Sequence, residues 1–97
     1  MIVSTHPLAD EELVDGAVYY ARKVNPTLAG DFIDEFERSI ALLRQYPRIG
    51  SPWQGGLRRL PMRRFPYSVV YTLSSEVIRV VAESHQSRRP GYWRGRT

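Results

Sequence analysis

Residues 65–84 read FPYSVVYTLSSEVIRVVAES, and this stretch decides the fold of the chain. Every second residue from 65 to 73 is aromatic or aliphatic, which is typical of a strand with one buried face. The Ser-Ser-Glu segment at residues 74–76 predicts a turn, and the β-branched run at 77–84 predicts another strand. The stretch therefore predicts two adjacent antiparallel strands near the C-terminal end of the chain.

Two amphipathic segments precede this region. Apolar residues recur at helical spacing over residues 13–24 and again over 29–43. The motif HPLADEE at residues 6–12 predicts the start of the first helix, because proline and acidic residues favour a first helical turn. Asn-Pro at 25–26 and Tyr-Pro at 46–47 predict the two helix ends, and the short link predicts an antiparallel helical hairpin.

The remaining segments complete the predicted order of elements. An apolar start at residues 1–3 and an arginine-rich segment at 57–62 are expected to be strands, and residues 48–56 are expected to be loop. The order β-α-α-β-β-β predicts an α+β fold, with a helical hairpin packed on one face of a small antiparallel sheet. Residues 1–97 are expected to form a single domain. Residues 85–97 form a basic aromatic tail, expected to be a strand extension, a turn or a partly mobile segment.

Composition excludes several functional classes. The chain has no cysteine, so disulfide scaffolds, thiol catalysis and cysteine zinc sites are ruled out. The two histidines and the scattered carboxylates lack the spacing of metal ligands, so neither a metal nor a cofactor is expected. No run is long and apolar enough to be a membrane span, and the N-terminus lacks signal-peptide features. The expected location is the cytoplasm.

Charge is distributed unevenly along the chain. Residues 1–50 hold five Lys or Arg against eight Asp or Glu, whereas residues 51–97 hold nine Arg against two Glu. Thirteen of the fourteen cations are arginine, whose planar fork of donors suits phosphate groups and carboxylates. The second half therefore indicates nucleic acid or an acidic protein as the partner.

Alternation along the last predicted strand separates its side chains into two sets. The apolar set is expected to lie under the helices, and it consists of Ile78, Val80 and Ala82. The other set is expected to face the side without helices, and it includes Arg79, Glu83 and His85. The arginine-rich strand and the aromatic tail are expected to line that same side.

Such a basic surface has the groups that RNA cleavage requires. His85 can carry a proton near neutral pH, Arg79 with another sheet arginine can hold the phosphate, and Tyr92 can stack on a base. The candidate catalytic residues are His85, Arg79, Arg64 and Tyr92. The candidate residues for binding nucleic acid or a partner are Arg58, Arg59, Arg63, Arg88, Arg89 and Trp93.

Each candidate also has a purely structural interpretation. His85 at a strand end can be a hydrogen-bonded structural residue, and the arginines of the short strand can protect a sheet edge from pairing. Trp93 can cover the core. Glu35 and Glu83 are expected to be ion-pair partners of arginine.

The sequence resembles the RelE/ParE superfamily of type II toxins, particularly its ParE-like branch. The resemblance rests on RRFPYSVVY at residues 63–71, on the strand at 77–82, and on His85 followed by RRPGYWRGR at 88–96. It covers nearly the whole chain and implies the fold order given above. It also implies a growth-inhibiting toxin that a cognate antitoxin neutralises by laying a flexible segment over the basic sheet face. Operator DNA would be bound only indirectly, through the antitoxin.

The resemblance leaves the cellular target open. ParE-like members poison DNA gyrase without a known hydrolytic site, whereas RelE-like members cut mRNA on the ribosome. On the RelE-like pattern the chain offers Arg59 or Arg64, Arg79, His85 and Tyr92, but it has no sheet lysine to transfer a proton. A third interpretation, outside the toxin class, is a non-toxic basic module that binds nucleic acid.

Overall fold

The computed structural model describes residues 1–97 and contains two helices and five strands. In chain order they are β1 (Ile2–Thr5), α1 (Pro7–Lys23), α2 (Pro26–Gln45), β2 (Ser51–Pro52), β3 (Leu57–Pro61), β4 (Tyr67–Leu73) and β5 (Val77–His85). The predicted α+β class and the order β-α-α-β-β-β are confirmed. The two-residue β2 is an addition, since it lies within the segment expected to be loop.

The five strands form one sheet in the order β1-β5-β4-β3-β2. Strands β2 to β5 pair antiparallel, whereas β1 joins the edge of the sheet parallel to β5. The sheet is therefore mixed rather than purely antiparallel. The physical reason is that the chain between β1 and β5 contains the helical hairpin and three strands, which is long enough for the crossover that a parallel pair needs.

Both helices begin where the sequence predicts. Each has proline in its first turn, and the residue before that proline caps the helix. His6 Nδ1 accepts a hydrogen bond from the Leu8 amide at 3.0 Å, and Asn25 Oδ1 accepts one from the Leu28 amide at 2.8 Å. These caps fix the residue at which each helix begins.

The main core lies between the helical hairpin and one face of the sheet, called the helix face below. Its aromatic centre is formed by Tyr20, Phe32 and Phe65, whose ring centroids are 5.2–5.4 Å apart. Aliphatic and aromatic side chains of β4 and β5 complete it, and they include Val69, Tyr71, Ile78 and Val80. The predicted alternation of β4 is confirmed, because its odd-numbered residues pack against this core.

A β-bulge in β5 changes which side chains face the helices. Val70 pairs with Ala82 while Tyr71 pairs with Val80, so Val81 is an extra residue in β5. Val81 and Ala82 both pack on the opposite face of the sheet, called the open face below. The predicted placement of Ala82 under the helices is wrong, because the bulge reverses the alternation after Val80.

The C-terminal tail folds back over the open face as a series of turns. Trp93, only 5% exposed, packs there with Val70, Val81 and Ala82 in a second, smaller core. Consequently both faces of the central strands are covered in this part of the sheet. Neither helix is long and apolar enough to cross a membrane.

Candidate functional site

The bulge places Glu83 and His85 on the helix face, and the predicted orientation of both residues is wrong. Glu83 pairs with Val69 and His85 with Tyr67, two residues that contact the main core. The His85 ring packs edge-to-face on Tyr67, with centroids 4.9 Å apart. Its Nδ1 accepts a hydrogen bond from the Ser87 amide at 3.0 Å, so His85 is anchored at the strand end.

Arg79 lies on the open face, as predicted. It pairs with Thr72 of β4, before the bulge. Its guanidinium donates hydrogen bonds to Ser4 Oγ at 3.3 Å and to the Thr97 carbonyl oxygen at 3.0 Å. Arg79 and His85 therefore point to opposite faces of the sheet. They do not form one phosphate site.

Arg63 and Arg64 lie in the turn between β3 and β4, away from the open face. Arg64 has a positive φ of 67°, and its guanidinium is 3.5 Å from the Asp31 carboxylate of α2. The Arg63 amide donates to Glu35 Oε1 at 3.2 Å. The expectation that both would line the open face is wrong, because the turn lies beside α2, where the Arg63 amide and the Arg64 guanidinium contact acidic residues.

Glu35 has the arginine partner predicted for it. Its carboxylate accepts from Arg38 Nη2 at 2.6 Å, and this hydrogen bond holds the pKa of Glu35 below its ordinary value of 4.5. Glu83, for which the same role was expected, has no arginine partner and no hydrogen bond to either carboxyl oxygen.

The two arginines of β3 point to opposite faces. Arg58 pairs with Tyr71 and donates to the carbonyl oxygens of Arg48 and Gly50 at 3.1 and 2.8 Å, so it fastens the loop after α2. Arg59 pairs with Val70 on the open face, and its guanidinium lies 4.6 Å from the centroid of the Trp53 ring. Of the four arginines predicted for the open face near β3, only Arg59 lies there.

The tail aromatics are enclosed and do not form an exposed stacking platform. Trp93 belongs to the smaller core, which supports its structural interpretation. The Tyr92 ring has the guanidinium groups of Arg88 and Arg96 at 4.1 and 5.1 Å from its centroid. Burial raises the pKa of the Tyr92 hydroxyl to about 12.

Several of the predicted site residues line one small cleft on the open face. Arg59, Arg88 and Trp93 line it, its volume is about 80 Å³, and His85 borders its edge because it is the last residue of β5, where the two faces of the sheet meet. Arg88 is exposed at its rim, and Arg89 is exposed in the adjoining turn. Of the four predicted catalytic residues, only His85 reaches this cleft, which we call the arginine cleft.

A second pocket was not foreseen from the sequence. It lies between α1, the end of β5 and the tail, and its volume is about 190 Å³. We call it the acidic pocket. Its lining residues include Glu12, Asp15, Tyr19, Tyr67, Glu83 and Tyr92. The helical spacing of Glu12, Asp15 and Tyr19 indicates that these residues share one face of α1. No sequence pattern indicates the bulge that brings Glu83 beside them.

Burial controls the protonation of two groups in the acidic pocket. Burial raises the pKa of Glu83 well above its ordinary value of 4.5, and the nearby charge of Glu12 acts in the same direction. Burial also raises the pKa of Tyr67 to about 12, so its hydroxyl keeps its proton at neutral pH. No group of three His, Asp or Glu side chains is arranged to hold a metal ion.

Comparisons with known proteins agree with the fold. Residues 3–90 match the family model described as ParE toxin of type II toxin-antitoxin system, parDE. A solved structure, the chromosomal ParDE toxin-antitoxin system from P. aeruginosa, superposes with a TM-score of 0.80 at 19% sequence identity. That match covers 88% of this chain and 95% of the other. No curated protein matches the sequence.

Proposed function

Because the chain belongs to the ParE toxin family of type II toxin–antitoxin systems, we propose that it inhibits growth by poisoning DNA gyrase, without hydrolysing nucleic acid itself. The observation that carries this proposal is the separation of Arg79 from His85 across the sheet. The two groups best suited to transfer a proton and to hold a phosphate cannot act together on one phosphodiester.

The requirements of RNA cleavage explain why that separation supports the proposal. A proton acceptor, a proton donor and a cation must lie within hydrogen-bond reach of the same phosphate. The Arg79 guanidinium is hydrogen-bonded to Ser4 and Thr97, and the Arg64 guanidinium contacts the Asp31 carboxylate. The Tyr92 ring lies between the guanidinium groups of two arginines. The chain has a single lysine, Lys23, which lies at the end of α1 and not in the sheet. The placement of these candidate catalytic groups favours a toxin that acts by binding its target rather than by cleaving nucleic acid.

The proposed partner that restrains the toxin is a cognate antitoxin with an acidic flexible segment. The exposed arginines of the second half of the chain give such a segment complementary charge. They are Arg59 on the open face, Arg88, Arg89 and Arg94 in the tail, and Arg63 and Arg64 in the turn beside α2. Only Glu76 and Glu83 oppose them in that half, and Glu83 is buried. Operator DNA would then be reached through the antitoxin.

The experiment that tests the gyrase proposal combines the purified chain with gyrase and relaxed plasmid DNA. We expect supercoiling to stop and cleaved DNA to accumulate in proportion to the added chain. The variants Arg79→Gln and His85→Gln should each retain this effect, because neither residue is proposed to act catalytically. Normal supercoiling at an excess of folded chain would overturn the proposal.

The arginine cleft favours one second candidate, cleavage of mRNA on the ribosome. Arg59 and Arg88 would hold the phosphate there and His85 would transfer a proton. On induction this candidate predicts translation arrest before replication arrest, with new 5′ ends in mRNA that disappear in His85→Gln. A non-toxic module that binds nucleic acid would instead leave growth unchanged and bind with a steep salt dependence.

A further inference from the structure

The acidic pocket adjoins the arginine cleft, with which it shares His85 and Arg88, and it contains a buried carboxyl group without a partner. Glu12, Asp15 and Tyr19 stand on one face of α1, and Tyr67 and Glu83 of the sheet stand opposite them. Tyr92 of the tail closes one side. The pocket thus has carboxyl groups at its base and side, surrounded by three tyrosine side chains.

Glu83 is the group that needs a partner. It is 1% exposed, and neither carboxyl oxygen has a hydrogen-bond donor. Glu12, by contrast, is fully engaged, because it accepts from the Glu83 amide at 3.1 Å and from Arg96 at 2.8 and 3.3 Å. A buried acceptor without a donor is rare in native proteins, and a ligand is one of its recognised explanations.

We propose that the acidic pocket binds the guanidinium group of an arginine side chain presented by a protein partner. A guanidinium supplies several donors in one plane, which matches the two free oxygens of Glu83 and the exposed carboxylate of Asp15. Tyrosine rings favour such a cation on their faces. The Tyr92 ring already has two guanidinium groups within 5.1 Å of its centroid.

The surrounding charges are consistent with one added cation. Arg96 neutralises Glu12, whereas Asp15 and Glu83 have no ion-pair partner. Arg88 stands at the rim and His85 at the strand end, with its Nδ1 engaged by Ser87. Since no three side chains converge as metal ligands, the pocket is suited to an organic cation rather than a metal ion.

The test is an NMR titration of the full chain with N-acetyl-arginine amide as the probe. We expect saturable shifts at the Gly16 amide and at the Glu83 carboxyl carbon, with a dissociation constant on the order of 1 mM. Glu83→Gln should weaken binding about tenfold or more, because it replaces a carboxyl group that can ionise against the guanidinium with a neutral amide. Asp15→Asn, at an exposed position, provides a second variant that does not disturb the core, and it should also weaken binding.

Two controls make the outcome decisive. N-acetyl-citrulline amide has nearly the same shape without the charge, and Asp10→Asn changes an exposed acid of α1 outside the pocket. The citrulline probe should not bind as the arginine probe does. Asp10→Asn should not weaken binding as Asp15→Asn does. Equal binding of the citrulline probe, or no saturable shift, would overturn the proposal. So would binding that appears only in Arg88→Ala, since the chain's own arginine would then be the occupant. The titration contains no gyrase or antitoxin, so its result is independent of the proposed function.

Discussion

Arg96 and Glu12 form an ion pair that joins the C-terminal tail to α1, although the two residues are 84 positions apart in sequence. Arg96 Nη1 lies 2.8 Å from Glu12 Oε1, and both side chains are largely buried. The same nitrogen donates to the Val81 carbonyl oxygen at 3.0 Å, at the bulge of β5. The tail is therefore fastened at the point where β5 changes its alternation.

Arg96→Ala is expected to release the tail and destabilise the fold. The substitution leaves the Glu12 carboxylate without its cation in a mostly buried position, which costs about 2–3 kcal/mol. Chemical denaturation should show this loss of stability, and trypsin should cut faster after Arg88. Arg94→Ala is the matched control, because Arg94 is exposed and makes only one long hydrogen bond, of 3.4 Å to Gln54. Equal stability of the two variants would mean that the ion pair does not hold the tail.

Much of the fold could be predicted because local signals and packing agree. The prolines and the capping residues at 6 and 25 mark both helix starts. The alternation from Phe65 to Leu73 identifies the buried face of β4, and the structure confirms it. The parallel pairing of β1 with β5 could not be predicted in this way, because a strand of four residues has too short a pattern to indicate which strand it pairs with.

The face on which each side chain of β5 lies could be predicted only for the residues before the bulge. Val80, Val81 and Ala82 are all apolar, so alternation does not reveal which of them is the extra residue. Sequence alternation placed Arg79 correctly and reversed Glu83 and His85. The burial of Trp93 against Val81 and Ala82 explains why the run is apolar on both faces, but that contact is long-range and absent from any local pattern.

Glu83→Gln is expected to stabilise the protein at neutral and alkaline pH. Because the folded-state pKa of Glu83 is raised by burial, folding favours its protonated form, and stability is lost as pH rises above the ordinary value of 4.5. Glutamine removes that loss. The stability difference between variant and wild type should be near zero at low pH and should grow as pH increases.

Urea denaturation across this pH range provides the measurement, with Glu76→Gln as the control. Glu76 is the other acid of the second half, and it is exposed in the turn between β4 and β5. Its substitution should leave the pH dependence unchanged. A pH-independent effect of Glu83→Gln would show that Glu83 does not hold its proton in the folded state.

Gly16→Ala is expected to destabilise the contact between α1 and the core. A Cβ atom at residue 16 would lie 2.8 Å from the Phe32 ring and 3.1 Å from the Tyr67 hydroxyl. Such overpacking costs about 1–3 kcal/mol, which exceeds the gain of up to about 1 kcal/mol in helix propensity. Gly30→Ala in α2 is the matched control, because nothing lies within 4 Å of its Cβ position. It should stabilise the protein by about 0.5–1 kcal/mol. Thermal denaturation distinguishes the two, and equal shifts would contradict the close contact at Gly16.

Tyr71→Phe is expected to loosen the loop after α2. The Tyr71 hydroxyl is in the main core, where it donates to the Pro47 carbonyl oxygen at 2.7 Å and accepts from the Gly50 amide at 3.1 Å. Removing it leaves both backbone groups unsatisfied, which costs about 1–3 kcal/mol. Hydrogen exchange of the Gly50 amide should become faster, and unfolding should occur at a lower denaturant concentration. Tyr46→Phe, which alters an exposed tyrosine beside the same loop, should change neither measurement. Unchanged exchange at Gly50 in Tyr71→Phe would show that this loop is held by Arg58 alone.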